Sequence, residues 1–292
     1  MLDPEGLAQH WVPGCGTPRV RLVARGLGHA TYSVRRDGRR YAMRLPLVPS
    51  AMRPEAAAPP WERRVFAAAA LSGLGPAIRR CDPDTGIVVT DWVRGRCWTR
   101  AQASHRASTA RIAALVRRIQ DVAPLPPHFA RQPADWIRHY SRIAGADGEM
   151  QEYSCRLADE AARRLELLGR PPVRAAVLCH SDLHRLNLID GAAGLVVLDW
   201  EYAHFSDPYW DLAGWLSAND LGAPHPDLLL AGYLGRAPGR AETQRLTRLT
   251  WLYDYVCLLW SNAYRTHFAA PIGTAMARRD RILAARLVVD PR

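Results

Sequence analysis

Residues 178–213 read LCHSDLHRLNLIDGAAGLVVLDWEYAHFSDPYWDLA. His180, Asp182 and Asn187 form an H-x-D-x-x-x-x-N pattern, and Asp199 follows after a further apolar run. Leu188-Ile189 and residues 195–198 flank a Gly-Ala-Ala-Gly turn. That pattern predicts a hairpin returning the chain so that Asn187 and Asp199 lie close together. Phosphoryl transfer needs an acceptor for the proton of the attacking hydroxyl, and oxygen ligands for the metal ions that bridge the phosphates. Asp182 suits the first role, and Asn187 with Asp199 the second. A metal site of His180, Asp182 and His184 is the competing reading, because H-x-D-x-H can gather ligands. It leaves Asp199-Trp200-Glu201-Tyr202 and residues 207–213 unexplained.

Upstream the chain is strand-rich. Residues 19–23 alternate, Gly26 and Gly28 interrupt, and residues 31–34 and 41–45 read as strands around an Asp37-Gly38 hairpin turn. After a Pro/Ala-rich connector, residues 61–71 predict a helix ended by Gly73, and residues 86–93 a further strand. Gly95 is a plausible hinge. Beyond it, Ile112, Leu115, Val116 and Ile119 recur at helical spacing, and residues 152–168 predict a second helix. A Pro-rich loop over 123–127 lies between them. Residues 173–179 suit a buried strand, and a long final helix is expected over 242–264. No internal repeat or low-complexity tract is visible.

Composition narrows the class. The 292 residues carry a formal charge of +11, yet the sequence contains no Lys, so any phosphate-gripping cation must be Arg. The arginines are dispersed among acids, the pattern of a solvated surface with an anionic substrate and not of a nucleic-acid-binding block. The six cysteines lack metal-like spacing, which suggests reduced thiols. Neither a signal peptide nor an apolar run of membrane-spanning length is evident, and the reading is a cytoplasmic protein.

The linked blocks resemble the choline/ethanolamine kinase and aminoglycoside phosphotransferase superfamily, and within it the bacterial choline kinase and thiamine kinase branches. The matching residues are His180-Ser181-Asp182, Asn187, Asp199-Trp200-Glu201-Tyr202 and residues 207–213 (DPYWDLA). The resemblance implies Asp182 as catalytic base, with His180 a structural neighbour and Asp211 bracing the loop. It implies magnesium held by Asn187 and Asp199, with Glu201 an added carboxylate. Upstream, residues 26–32 resemble the phosphate-covering loop, through Gly26 and Gly28, although His29 stands in place of the usual Asn and Arg25 in place of the first Gly. Arg44 stands where protein kinases place Lys, Glu62 matches its helix partner, and Thr90-Asp91-Trp92-Val93 resembles the adenine-binding hinge. The implied fold is α+β, bilobal and protein-kinase-like. A small β-rich nucleotide lobe would cover residues 1–94, and a larger, mainly helical catalytic and substrate-binding lobe residues 95–292.

ATP and Mg2+ are the implied cofactors and a small-molecule alcohol the partner: choline, ethanolamine or thiamine. Trp215, Trp251, Trp260 and Tyr264, with Asp220 and Asp254, are the candidate acceptor residues, because aromatic faces and a carboxylate attract a quaternary ammonium. A core stripe is the alternative reading of the same aromatics. The Glu that choline kinases carry near Ala218 is missing. Aminoglycosides suit the chain less well, because residues 221–292 hold five acids against ten arginines. A catalytically weak, kinase-like nucleotide-binding regulatory protein is the alternative from another class. The presence of Asp182, Asn187 and Asp199 together speaks for the enzyme.

Overall fold

The computed structural model describes residues 3–26, 28–47, 59–82, 84–122, 130–144, 151–169, 176–191, 194–265 and 272–289. They group into two compact units, the first formed by residues 1–100, 121–129 and 184–203 and the second by 101–120, 130–183 and 204–292. Residues 184–203, which the sequence reading assigns to the C-terminal lobe, therefore cluster with the strand-rich part.

The first unit opens with α1 (Pro4–Trp11), then β1 (Arg19–Arg25), β2 (His29–Arg36) and β3 (Arg39–Pro46). Asp37 and Gly38 both have positive φ, 48° and 73°, as a two-residue hairpin loop between right-twisted strands requires. On β3, Tyr41, Met43 and Leu45 alternate inward, and with Val34, Ile87, Val89, Ala8 and Val12 they make the core under the sheet. Arg36 fastens α1 there, donating to the carbonyls of Gln9, Val12 and Gly16. Helix α2 (Pro59–Leu71) ends before Gly73, whose φ is +66°. Strands β4 (Ile78–Cys81) and β5 (Val88–Asp91) complete an antiparallel sheet of order β1-β2-β3-β5-β4. The strand expected over 86–93 is thus confined to its central four residues.

The second unit is helical. Short α3 (Arg100–Ser104) leads into it at the boundary, followed by α4 (Arg106–Gln120), α5 (Pro133–Ala144) and α6 (Gln151–Leu168). β6 (Val177–Cys179) comes next, and the chain then enters the first unit for β7 (Leu188–Gly191) and β8 (Gly194–Val197). It returns as β9 (His204–Ser206), antiparallel to β6. Helices α7 (Trp210–Ala218), α8 (His225–Leu234), α9 (Arg240–Tyr264) and α10 (Ile272–Val289) follow. α9 is the hub, packing against α5, α6, α7, α8 and α10. The expected final helix is therefore the penultimate one. The predicted Pro-rich loop, and residues 173–175 of the strand predicted over 173–179, lie outside the described residues; the end of that strand is β6.

The hairpin of β7 and β8 forms in the predicted register, pairing Leu188 with Val197 and Gly191 with Gly194. Gly95 has φ +141°, and a Cβ there would meet Ile189 Cγ2 and lie 2.8 Å from the Asp190 carbonyl. Its glycine is required by close approach to this hairpin.

Candidate active site

In the first unit the site is organised by Arg44. One Nη of its guanidinium is joined to Glu62 on α2 and the other to Asp199, while Glu201 stands 3.8 Å away. Glu62 is 3% exposed and Arg44 11%, so the pairing is desolvated and the charges must be matched. Burial by itself would lower the Arg44 pKa, but Glu62, Asp199 and Glu201 hold it above the ordinary guanidinium value. His29 Nδ1 lies 3.4 Å from Glu201 Oε2.

Asn187 and Asp199 lie at the open end of the hairpin, where Leu198 N–H donates to the Asn187 carbonyl at 2.8 Å. Asp199 adopts φ +61°, a left-handed conformation disfavoured for a residue with a Cβ. Such strain is retained where the surroundings enforce one side-chain direction. No group of three or more His, Cys, Asp or Glu placed to hold a metal occurs among the described residues. Asn187, Asp199 and Glu201 nevertheless offer only hard oxygen donors, and Arg44 engages Oδ1 of Asp199 alone, leaving Oδ2 for a cation. That chemistry fits magnesium.

Between β1 and β2, Gly26 N–H donates to the His29 carbonyl, and past β3 Leu47 N–H donates to that of Gly28, both at 2.8 Å. A Cβ on Gly28 would meet no atom within 4 Å, so its backbone borders open space. Thr90 lies next to the end of β5, paired with Ala42. The N–H groups of Asp91 and Trp92 are already given to the carbonyls of Ala77 and Arg40, and the Arg40 guanidinium lies 3.6 Å from the Trp92 ring centroid.

In the second unit the loop carrying Asp182 is fixed by Asp211, a fully buried carboxylate at the start of α7. Its oxygens accept the N–H groups of His180 and Ser181 at 2.7 and 2.8 Å. Burial raises the Asp211 pKa, against His180 and the two N–H donors that lower it. Ser181 has φ +67°. His180 is fully buried, and its Nδ1 accepts from Asp182 N–H at 3.3 Å, a loop-shaping contact. Asp182 itself remains partly accessible.

Two supports escaped the sequence reading. Trp136 donates to Nε2 of buried His204 at 3.1 Å, which leaves His204 Nδ1 to donate to Ser181 Oγ at 3.0 Å. The Tyr253 hydroxyl donates to the Ser181 carbonyl at 3.0 Å. The separations are 23 and 72 residues, so no local pattern announces them.

The candidate acceptor residues are not gathered into one cage. Trp215 and Trp251 are 1% and 3% exposed, and Trp251 donates to the Leu287 carbonyl and faces Arg164. Trp260 packs on Tyr264, whose ring meets Tyr140 edge-on. Asp254 accepts from Ser217 and pairs with Arg286, which also reaches Asp220. These three charged residues border a groove of about 860 Å³ between α7, α8, α9 and α10.

A five-stranded antiparallel sheet carrying a paired Arg and Glu, and a helical unit presenting a braced aspartate loop, define a kinase-like fold. Residues 19–246 match the profile of the Phosphotransferase enzyme family, and the chain belongs to it. A choline/ethanolamine kinase family protein from Mesorhizobium loti shares 22% identity over 98% of this chain and 94% of that one, with a TM-score of 0.74. A choline kinase from Streptococcus pneumoniae shares 17% over 97% of each chain, at 0.73. A microcompartment-associated aminopropanol kinase shares 18% over 98% and 96%, at 0.69. At these identities the likeness is one of fold. No curated protein sequence matches the chain.

Proposed function

We propose that the chain transfers the terminal phosphoryl group of ATP to the hydroxyl of a small molecule, with Asp182 as the base. The observation that carries this reading is Arg44, a desolvated cation joined at once to the α2 acid and to the carboxylate ending the hairpin. Asp182 accepts the hydroxyl proton as the acceptor oxygen bonds to the terminal phosphorus. The bond from that phosphorus to the bridging oxygen breaks, its electron pair leaves with ADP, and the proton passes from Asp182 to solvent. Asn187, Asp199 and Glu201 would hold magnesium, which when bound neutralises phosphate oxygens. Arg44 orients Asp199 and contributes fixed positive charge. Asp211, His204 and Tyr253 position the Asp182 loop. Gly26, Gly28 and the strand end at Thr90–Val93 receive the nucleotide.

No described helix is long and apolar enough to cross a membrane. With ATP as donor and five described cysteines free, we place the reaction in the cytoplasm. Choline-type specificity would require the aromatics to present open faces, whereas Trp215 and Trp251 are committed to packing.

The test is magnesium-dependent ADP release against a panel of alcohols. Asp182→Asn should lower kcat by about 10³-fold, within the range general-base catalysis supplies, with circular dichroism unchanged. Asp199→Ala should lose magnesium-dependent nucleotide binding. An Asp182→Asn enzyme with wild-type turnover would refute the assignment.

A further inference from the structure

Residues 19–44 hold eight arginines and a single acid, Asp37. Along the chain these arginines are scattered, and the antiparallel register of the five-stranded sheet gathers them. Val20, Val34, Tyr41 and Met43 turn into the core beside α1, so the alternate residues of each strand face away from it. That opposite face carries Arg19 and Arg21 of β1, Ser33 and Arg35 of β2, and Arg40, Ala42 and Arg44 of β3. Arg19 pairs with Arg35, and Arg35 with Arg40, which sets three arginines in a row across three strands about 4.8 Å apart. Arg21 stands beside the row, paired with Ser33.

Like charges placed directly opposite one another destabilise a sheet. Arg19, Arg21 and Arg35 are nevertheless exposed, and they enter no ion pair or hydrogen bond among the described residues. The two oxygens of Asp37 accept the N–H groups of Cys15 and Gly16, and Asp91 is paired with Arg79. Arg40 is oriented by its bond to Ser33 Oγ at 2.7 Å and by the Trp92 ring, 3.6 Å away. Partial burial, and then the charges of Arg35 and Arg21, hold its pKa below the ordinary guanidinium value. The row shares its face with Arg44, four residues and about 13 Å further along β3. Ala42, between them, pairs with Thr90. The unmatched charge is thus continuous with the residues assigned above to the nucleotide.

We propose that this arginine row is a capture surface for the nucleotide, drawing the polyphosphate anion to this face of the first unit and raising the rate at which it reaches Arg44. This rests on the kinase reading above. Charge of one sign on a low-dielectric wall focuses the field and raises the on-rate of an opposite ion by about 10- to 10³-fold, an effect that salt suppresses. A row set apart from Arg44 by an uncharged position acts on arrival and leaves the bound complex unchanged.

The experiment is stopped-flow binding of N-methylanthraniloyl-ATP with magnesium to the full chain, at about 20 and about 200 mM NaCl, where charges are screened over about 20 and about 7 Å. Arg19→Gln/Arg35→Gln should lower kon about 3- to 10-fold at the lower salt and less than about twofold at the higher, with koff within about twofold throughout. Arg19→Lys/Arg35→Lys should restore kon, because charge and not guanidinium geometry acts, and this rescue separates lost capture from misfolding. An unchanged kon, or a loss carried by koff alone, would overturn this inference and leave the kinase reading intact. Glutamine variants that keep kon but lose binding to a single-stranded oligonucleotide or to phosphatidylserine vesicles would overturn it in favour of a macromolecular anion. Salt-dependent capture through the row, in a protein that releases no ADP with any alcohol, would support the surface and count against the kinase reading. A wild type that binds no nucleotide would overturn both.

Discussion

Asp211→Asn tests whether the catalytic loop is held by a carboxylate in particular. In the wild type two backbone N–H groups, those of His180 and Ser181, point at separate oxygens of a fully buried side chain. The amide keeps one oxygen and sets an NH2 against the other donor, so one buried N–H loses its acceptor. That loss costs about 1–3 kcal/mol, and the weakening of a charge-assisted bond adds about 1. Relief from burying a carboxylate offsets part, leaving a net deficit of about 2–3 kcal/mol. Urea midpoints at unchanged slope measure it. The strained Ser181 backbone relaxes once the clamp weakens, and displacement of Asp182 by about 1 Å should cost kcat about 10²-fold. The pH dependence is the sharper test. Burial raises the folded-state pKa of Asp211, so its contribution is full below the unfolded value of about 3.9 and is lost as pH rises through the folded value. The wild type should therefore gain on the variant as pH falls from 7 towards 4, and the deficit should widen. A variant within about 0.5 kcal/mol of wild type with unchanged kcat, or a deficit that shrinks in acid, would refute the reasoning.

Gly95→Ala should destabilise by about 2–4 kcal/mol in urea unfolding, since the new methyl meets Ile189 at a φ hostile to side chains; a loss under about 0.5 would contradict the close approach. Glu242 is held down to about 2, first by Arg236 and then by the Gly239 N–H at the start of α9. Its stabilising contribution is therefore present above about pH 4.3 and lost as pH falls through about 2, and Glu242→Gln should show shallower acid unfolding. A Glu242 carboxyl titrating near 4 by NMR would rule this out.

The elements legible in the sequence are those whose signals are local. Asp37-Gly38 demands a two-residue turn, and the Gly-Ala-Ala-Gly segment between apolar pairs gave the hairpin that carries Asn187 and Asp199. α7 carried its DPYWDLA motif but no helical period, because eight of its nine residues are buried and there is no polar face to reveal one. α10 was missed for the opposite reason. Its buried Met276, Leu283 and Leu287 are sparse among arginines, and only packing on α9 makes them a face. The site divides in the same way. Arg44, Glu62 and Asp211 could be named by resemblance, but the roles of His204 and Tyr253 depend on contacts that folding alone creates. On α9, Trp251 donates to the Leu287 carbonyl and Tyr253 to the Ser181 carbonyl, long-range contacts that helical spacing does not announce.

Arg44 also has a consequence for chemical reactivity. A cation that serves as a fork between two carboxylates carries no nucleophilic amine, and guanidinium stays protonated throughout the working pH range. Electrophilic nucleotide analogues that label ATP sites by acylating a lysine would find nothing to acylate here, because the chain contains no lysine at all. In an activity-based survey of a cell extract with such reagents, this protein would go unlabelled while fully active.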